Sequence, residues 1–294
     1  MSSTILESRR PTMLVIGAHR IRQTLGAWLG LAPLVVAAII VIAPVVWTVT
    51  TSLRTPAESF TVPPQWLPTR PDWSNYRAVF QTIPFAHYVL NSAIVCVSIV
   101  AGQLITAGLA GYAFARFRFP GKNLLFWLIM ATLMIPLQAT IIPIFVLISR
   151  MGLNDTLAAL ILPAWVTPFG IFLMRQYFMT LSNDFEEAAV IDGANQWQVF
   201  WRIYLPMGAP GLAILAILAF NYHWNEFFRP LIFLTSSQNF TVPLGMVTLF
   251  GYMGTGSVSV VLAGVVLAVV IVLMIYLLGQ RYLIEGLTMG GVKG

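Results

Sequence analysis

Six polar side chains interrupt otherwise apolar stretches of this 294-residue sequence: Asn91, Gln103, Gln138, Asn221, His223 and Glu226. Sugars are bound by amides, carboxylates and stacked aromatics, so these groups are candidates to line a permeation path. Each is equally suited to ordinary hydrogen bonding between helices, worth about 0.6–2 kcal/mol. Glu226 has a simpler role available as well, an i,i+3 ion pair with Arg229 on one helix face. Bond-breaking chemistry has no comparable set. Gly121-Lys122 is followed by Asn123 and lacks the upstream glycine of a phosphate-cradling Gly-x-x-x-x-Gly-Lys-Ser/Thr loop. The usual route to ATP hydrolysis is therefore closed to this chain. His19, His87 and His223 are scattered, with no His-Glu-x-x-His, so no metal is expected. With no nucleophile-base constellation either, the chain reads as a non-enzyme that binds no cofactor of its own.

The elements that position these residues follow from composition. Hydrophobic residues make up 58% of the chain and charged residues 9%, against about 25% charged in soluble domains. So few charges cannot cover a water-exposed surface, and the lone Cys96 excludes an internal disulfide framework. Asp, Glu, Lys and Arg are all missing from 23–53, 78–115, 123–149, 156–174, 203–225 and 230–280. A helix crosses the hydrocarbon core with roughly 20 apolar residues. The gaps predict an all-α integral membrane protein with six transmembrane helices, near 25–50, 87–112, 124–148, 157–176, 208–232 and 258–279. Glu226 and Arg229 then fall near the outer interface rather than the midplane. Pro136, Pro143, Pro163 and Pro168 interrupt spans three and four, and each bends its helix unless neighbours compensate.

The bases set the orientation. With the N-terminus inside, the cytoplasmic segments hold eleven of the 16 Lys and Arg and the outer ones five, which places both termini in the cytoplasm. No Lys/Arg run exceeds two residues, so the basic balance is topogenic and not a nucleic-acid footprint. The domain reading is an N-terminal extension at 1–24, a permease domain at 25–280 and a cytoplasmic tail at 281–294. Loop 52–86 is external. Its prolines favour extended structure over helix, and its aromatics suit the membrane interface or an external docking partner.

The cytoplasmic loop 177–207 is longer than two spans need for their connection. Asp184 is an expected N-cap with Glu187 as its capping-box partner. Glu186, Glu187, Ala188 and Ala189 start a short helix with acids at its positive end. Asp192 shares a face with Phe185, Ala188 and Ala189. Gly193 can take the left-handed conformation that ends this helix, and a second helix over about 195–204 stops before Pro206. Such an ordered projection implies a partner.

Glu187-Ala188-Ala189, then Gly193, then Ile203-x-Leu205-Pro206 resembles the EAA loop of binding-protein-dependent ABC importer permeases. Trp224-Asn225-Glu226-Phe227 with Pro230-Leu231, together with Pro63-Pro64, Asn75-Tyr76 and Phe80, is similar to the carbohydrate-uptake group. The terminal Gly286-Leu287-Thr288-Met289-Gly290-Gly291-Val292-Lys293-Gly294 resembles the tail of the smaller permease of maltose-type importers. The resemblance covers about residue 30 to the end. It implies a multi-pass protein of a bacterial or archaeal plasma (inner) membrane, with a second homologous permease, two ATPase subunits and an extracytoplasmic solute-binding protein as partners. ATP and Mg would sit in the ATPases. Loop residues 184–206 would form the coupling helix. Gly286, Leu287, Thr288, Gly290, Gly291 and Lys293 would reach the ATPase dimer. The solute is expected to be a carbohydrate. A glycerol phosphodiester or another solute is the alternative, and an ion-coupled secondary transporter a more distant one, because the deep spans lack acids and Glu226, the nearest candidate, is expected to be peripheral.

Overall fold

A computed structural model describes residues 12–55, 58, 66–251 and 257–291, with side chains outside 12–30 and 281–291. Helices dominate: α1 (Thr12–Ser52), α2 (Ser74–Thr82), α3 (Phe85–Arg116), α4 (Lys122–Ala131), α5 (Leu137–Arg150), α6 (Ala158–Ile161), α7 (Pro168–Thr180), α8 (Asp184–Ile191), α9 (Gln196–Val199), α10 (Leu205–Met207), α11 (Ala209–Trp224), α12 (Phe228–Phe233), α13 (Val242–Val247) and α14 (Val258–Gly291). Among the described residues there is no strand. Three unbroken apolar stretches are long enough to cross a membrane: Leu31–Ser52, Phe85–Arg116 and Val258–Gln280. Three further apolar stretches are helix pairs bent at a break, 122–134 with 137–150 at 101°, 158–164 with 168–180 at 41°, and 196–207 with 209–224 at 68°. Counting each pair as one span gives the expected number of six, but the first arm of the last pair falls in the expected loop 177–207, and its second arm ends at Trp224, short of the expected 232.

Two of the bends fall at prolines and one at glycine. Pro136 starts α5 after an extended Ile135 (ψ 114°), as the clash between a proline ring and the preceding residue demands. Pro168 starts α7. Pro143 lies inside α5 without breaking it. Gly208 separates α10 from α11.

Helix α3 is the central post. Its outer end packs Phe85 and Tyr88 against Trp224, Val242 and Val261. Its middle packs Val95 and Ile99 against Ile148, Leu160 and Phe233. Its inner end packs Ala107 and Tyr112 against Met174, Phe178 and Tyr204. By contrast α1 stays outside this packing, with Leu34, Ile40 and Val41 between 65% and 71% exposed. Exposed aliphatic side chains along a whole helix suit lipid, not water.

In loop 52–86 a short helix, α2, forms in the proline-free stretch between Pro71 and Pro84, where extended structure was expected. Asn75 explains its position. The Asn75 amide donates to the carbonyls of Ser52 at 3.0 Å and Arg54 at 2.8 Å, satisfying the open end of α1. The Tyr76 hydroxyl meets Ser52 Oγ at 2.8 Å. Two residues that carry the resemblance thus tie loop one to the first span.

Candidate functional site: the two-helix projection and the cavity between the spans

Residues 183–208 form the two-helix projection, with local corrections to the expected caps. Asn183, not Asp184, is the N-cap residue of α8, and Asp184 is its first helical residue. Asn183 makes no capping bond because its Oδ1 accepts from Arg116 Nη1 instead. The capping box lies one helix later. Asn195 Oδ1 accepts from the Gln198 amide at 2.9 Å, and Gln198 Oε1 from the Asn195 amide at 2.8 Å. Gly193 has φ 83° and joins the two helices in the left-handed region.

The second helix does not stop before Pro206. After α9 the backbone widens into a π turn over Phe200–Tyr204, then α10 carries Pro206 in its first turn. A proline lacks the N–H of the next rung, and a widened turn before it avoids the clash with the preceding carbonyls. Ile203 is half-buried and Leu205 packs beneath it against the inner cluster.

Arg116, on the last turn of α3, fixes this projection to the bundle. Its Nη2 donates to the carbonyls of Phe178 at 2.7 Å and Leu181 at 2.6 Å, and its guanidinium lies 4.7 Å from the centre of the Tyr204 ring. Tyr204 in turn donates to Glu186 Oε2 at 3.1 Å, and Tyr112 donates to Gln196 Oε1 at 3.0 Å. Burial of Tyr204 beside Glu186 pushes its phenol above the usual range. Sequence reasoning assigned Arg116 only to the charge count. The signal available was its place at the helix C-terminus, where cations meet free carbonyls.

The projection exposes large apolar side chains among charged ones. No residue of α8 is buried, and Ile191 is 85% exposed, Trp197 62% and Trp201 56%. Glu187, Ala188 and Asp192 are exposed beside them, while Ala189 turns to the inner cluster. Helix α14 continues past residue 280 to Gly291, so Gly286, Leu287, Thr288, Gly290 and Gly291 lie on helical backbone. Lys293 lies outside the described residues.

Of the six intramembrane candidates, three converge. Gln103 Nε2 donates to the Ala164 carbonyl at 2.8 Å and lies 3.2 Å from His223 Nε2. His223 Nδ1 is 3.0 Å from Glu226 Oε2, and Glu226 receives both Nε and Nη2 of Arg229. Arg229 Nη2 lies 3.1 Å from the same His223 Nδ1. The Glu226–Arg229 pair is not on one helix face at the outer edge. Helix α11 ends at Trp224, and the Asn225 amide folds back to the Asn221 carbonyl at 2.8 Å. A helix through Glu226 would clash with the ring of Pro230, four residues on. Chain direction therefore changes, and Arg229 becomes buried at 4% exposure. Gln103 stands eighteen residues into α3, roughly 27 Å from its outer end, so the cluster is deep rather than peripheral.

The remaining three lie apart. Asn91 donates to the carbonyls of Gln238 at 2.9 Å and Phe240 at 3.0 Å, a packing contact with the loop before α13. Gln138 is exposed on α5, and Asn221 lies in a shallow groove facing α14. A cavity of about 610 Å³ opens beside the deep cluster, with Gln103, His223 and Arg229 at its polar end and Leu137, Phe169 and Leu218 among its apolar walls.

Fold and site define a membrane-embedded transport subunit whose two-helix projection is joined to a helix bundle. Residues 103–284 match the family described as binding-protein-dependent transport system inner membrane component, and the chain belongs to that family. It is a permease subunit of an ABC importer, a multi-pass membrane protein and not an enzyme. Relatives include the arabinooligosaccharides transport system permease protein AraQ of Halalkalibacterium halodurans, 40% identical over 69% of this chain and 73% of that one. The diacetylchitobiose uptake system permease protein NgcG of Streptomyces coelicolor is 32% identical over 88% and 86%. The sn-glycerol-3-phosphate transport system permease protein UgpE of Pectobacterium atrosepticum is 34% identical over 78% and 84%. A bacterial ABC transporter that imports the acidic polysaccharide alginate superposes with a TM-score of 0.78 at 25% identity, covering 95% of this chain and 99% of that one.

Proposed function

We propose that the chain forms half of the translocation pathway for a carbohydrate handed over by an extracytoplasmic binding protein, beside a second homologous permease. Two ATPase subunits in the cytoplasm bind ATP and Mg and supply the energy. The α8–α9 projection is their docking element. Asp184, Glu186, Glu187, Ala188, Ala189, Asp192 and Gly193 shape it, and Ile203, Leu205 and Pro206 join it to span five. The supporting observation is the pairing of exposed apolar side chains, Ile191 with Trp197 and Trp201, with a base that Arg116 and Tyr204 hold to α3 and α7. A contact that transmits force must be rigid behind and unpartnered in front. Both termini face the cytoplasm, which brings residues 286–293 to the same ATPases. Carbohydrate is favoured by the sugar systems named for two of the relatives. The glycerol-phosphate system of another relative supplies the competing reading.

The test is uptake by the reconstituted importer of labelled arabinotriose, diacetylchitobiose and glycerol 3-phosphate, with ATP supplied and ion gradients collapsed. Sugar uptake that survives collapse is expected. Uptake of glycerol 3-phosphate alone would replace the carbohydrate reading, and loss of all uptake on collapse would remove ATP as the driving force.

A further inference from the structure

The break in span four has a specific receiving surface on α3. Three positions within one and a half turns of α3 meet it. Gly102 lies under the indole of Trp165, where an added Cβ would stand 2.4 Å from the ring Cδ1. Gln103 Nε2 donates to the Ala164 carbonyl at 2.8 Å, and Thr106 Oγ1 to the Trp165 carbonyl at 2.8 Å. In an unbroken α-helix these carbonyls would accept from residues 168 and 169. Residue 168 is proline and has no N–H to give. From the other side Arg229 Nη1 donates to the Leu160 carbonyl at 3.0 Å. The same segment, including Pro163, Ala164, Thr167 and Pro168, forms a wall of the membrane cavity.

We propose that Gln103 and Thr106 are positioning residues that hold span four bent by replacing the helix's own donors, and so set the wall of the translocation cavity. Their polar atoms act on the pathway through the backbone of residues 164–168, without requiring contact with the solute. Main-chain carbonyls within a membrane must be satisfied by something, and here two side chains of the central helix do it, at the buried Ala164 carbonyl and at the more exposed Trp165 carbonyl. His223 joins Gln103 to the Glu226–Arg229 pair, so the clasp and the capped Leu160 carbonyl belong to one connected network. The inference concerns the bend alone and stands whichever solute is carried.

The experiment is a single-particle structure of the assembled importer in lipid for three variants, reading the angle between 158–164 and 168–180, which is 41° in the native chain. In Pro168→Ala the side-chain donors remain, and the angle should stay near its native value. In Gln103→Leu/Thr106→Val/Pro168→Ala the helix regains its own donor and the angle should fall below about 20°, the range of ordinary helix curvature. Thr106→Ser keeps the hydroxyl and the bend. A Pro168→Ala helix that straightens by itself would overturn the proposal, since the proline alone would then set the bend. So would a triple variant that remains bent. The mild Pro168→Ala and Thr106→Ser variants decide the matter if the triple variant fails to assemble.

Discussion

The Tyr204 hydroxyl donates to Glu186 Oε2 at 3.1 Å across the projection, tying the first turn of α8 to the π turn that leads into span five. Tyr204→Phe should cost the loop about 0.5–1.5 kcal/mol of local stability. Hydrogen exchange across 184–191 checks this: faster exchange in the variant is expected, and unchanged protection would mean that packing alone holds α8.

Gly193→Val should impair docking of the ATPase more than membrane insertion. At φ 83° a β-branched residue is strained by about 1–3 kcal/mol, although nothing lies within 4 Å of the added Cβ. Strain is therefore purely of the backbone, and Gly193→Asn should recover most of the loss because asparagine tolerates this region. Co-purification of the ATPase subunit measures both. Equal loss in both variants would point instead to a contact made by the glycine itself.

Asp155 supplies a pH dependence in the turn before α6. It sits at φ 56° and accepts from the amides of Thr235 at 2.8 Å and Ser236 at 2.9 Å. The Ser236 hydroxyl, together with those two amides, holds its carboxyl well below the usual range. A depressed pKa contributes stability above the unfolded value near 3.8, and that stability is lost as pH falls towards the folded value. Protection of the Thr235 and Ser236 amides should decline below about pH 4 once intrinsic exchange is subtracted. In Asp155→Asn it should be lower at neutral pH and flat with acid.

Gly111→Ala tests the close approach of the central post to α7. An added Cβ would lie 2.6 Å from Met174 Cβ and 2.9 Å from the Arg175 amide, and Met174 is fully buried. Overpacking of this kind costs about 1–3 kcal/mol. A lower thermal midpoint of the detergent-purified chain is expected, and an unchanged one would show that α3 and α7 can part without loss.

Asn195→Cys, in a Cys96→Ser background, should react with an impermeant thiol reagent only from the cytoplasmic side. Labelling from outside in sealed cells would invert the topology.

The spans, the projection and the family were legible because each leaves a linear signature. Absent charges mark the spans, and Glu187, Gly193 and Pro206 keep fixed spacing. The caps were legible in kind but not in place, because Asn183 is diverted by Arg116 from a distant segment. Position of the deep cluster was not legible at all. Glu226 and Arg229 stand three apart, a separation that reads as a surface pair unless Pro230 is allowed to end the helix first. Likewise Gln103 looks like a sugar ligand in one dimension. Only the fold shows that a carbonyl sixty-one residues away takes its amide.

Ile191, Trp197 and Trp201 leave an adhesive end on the projection whenever the subunit is alone. Exposed apolar patches of this kind invite aggregation and recognition by quality-control proteases. Copies made in excess should therefore be short-lived, and the cellular amount of this chain should follow the supply of whichever companion covers that end.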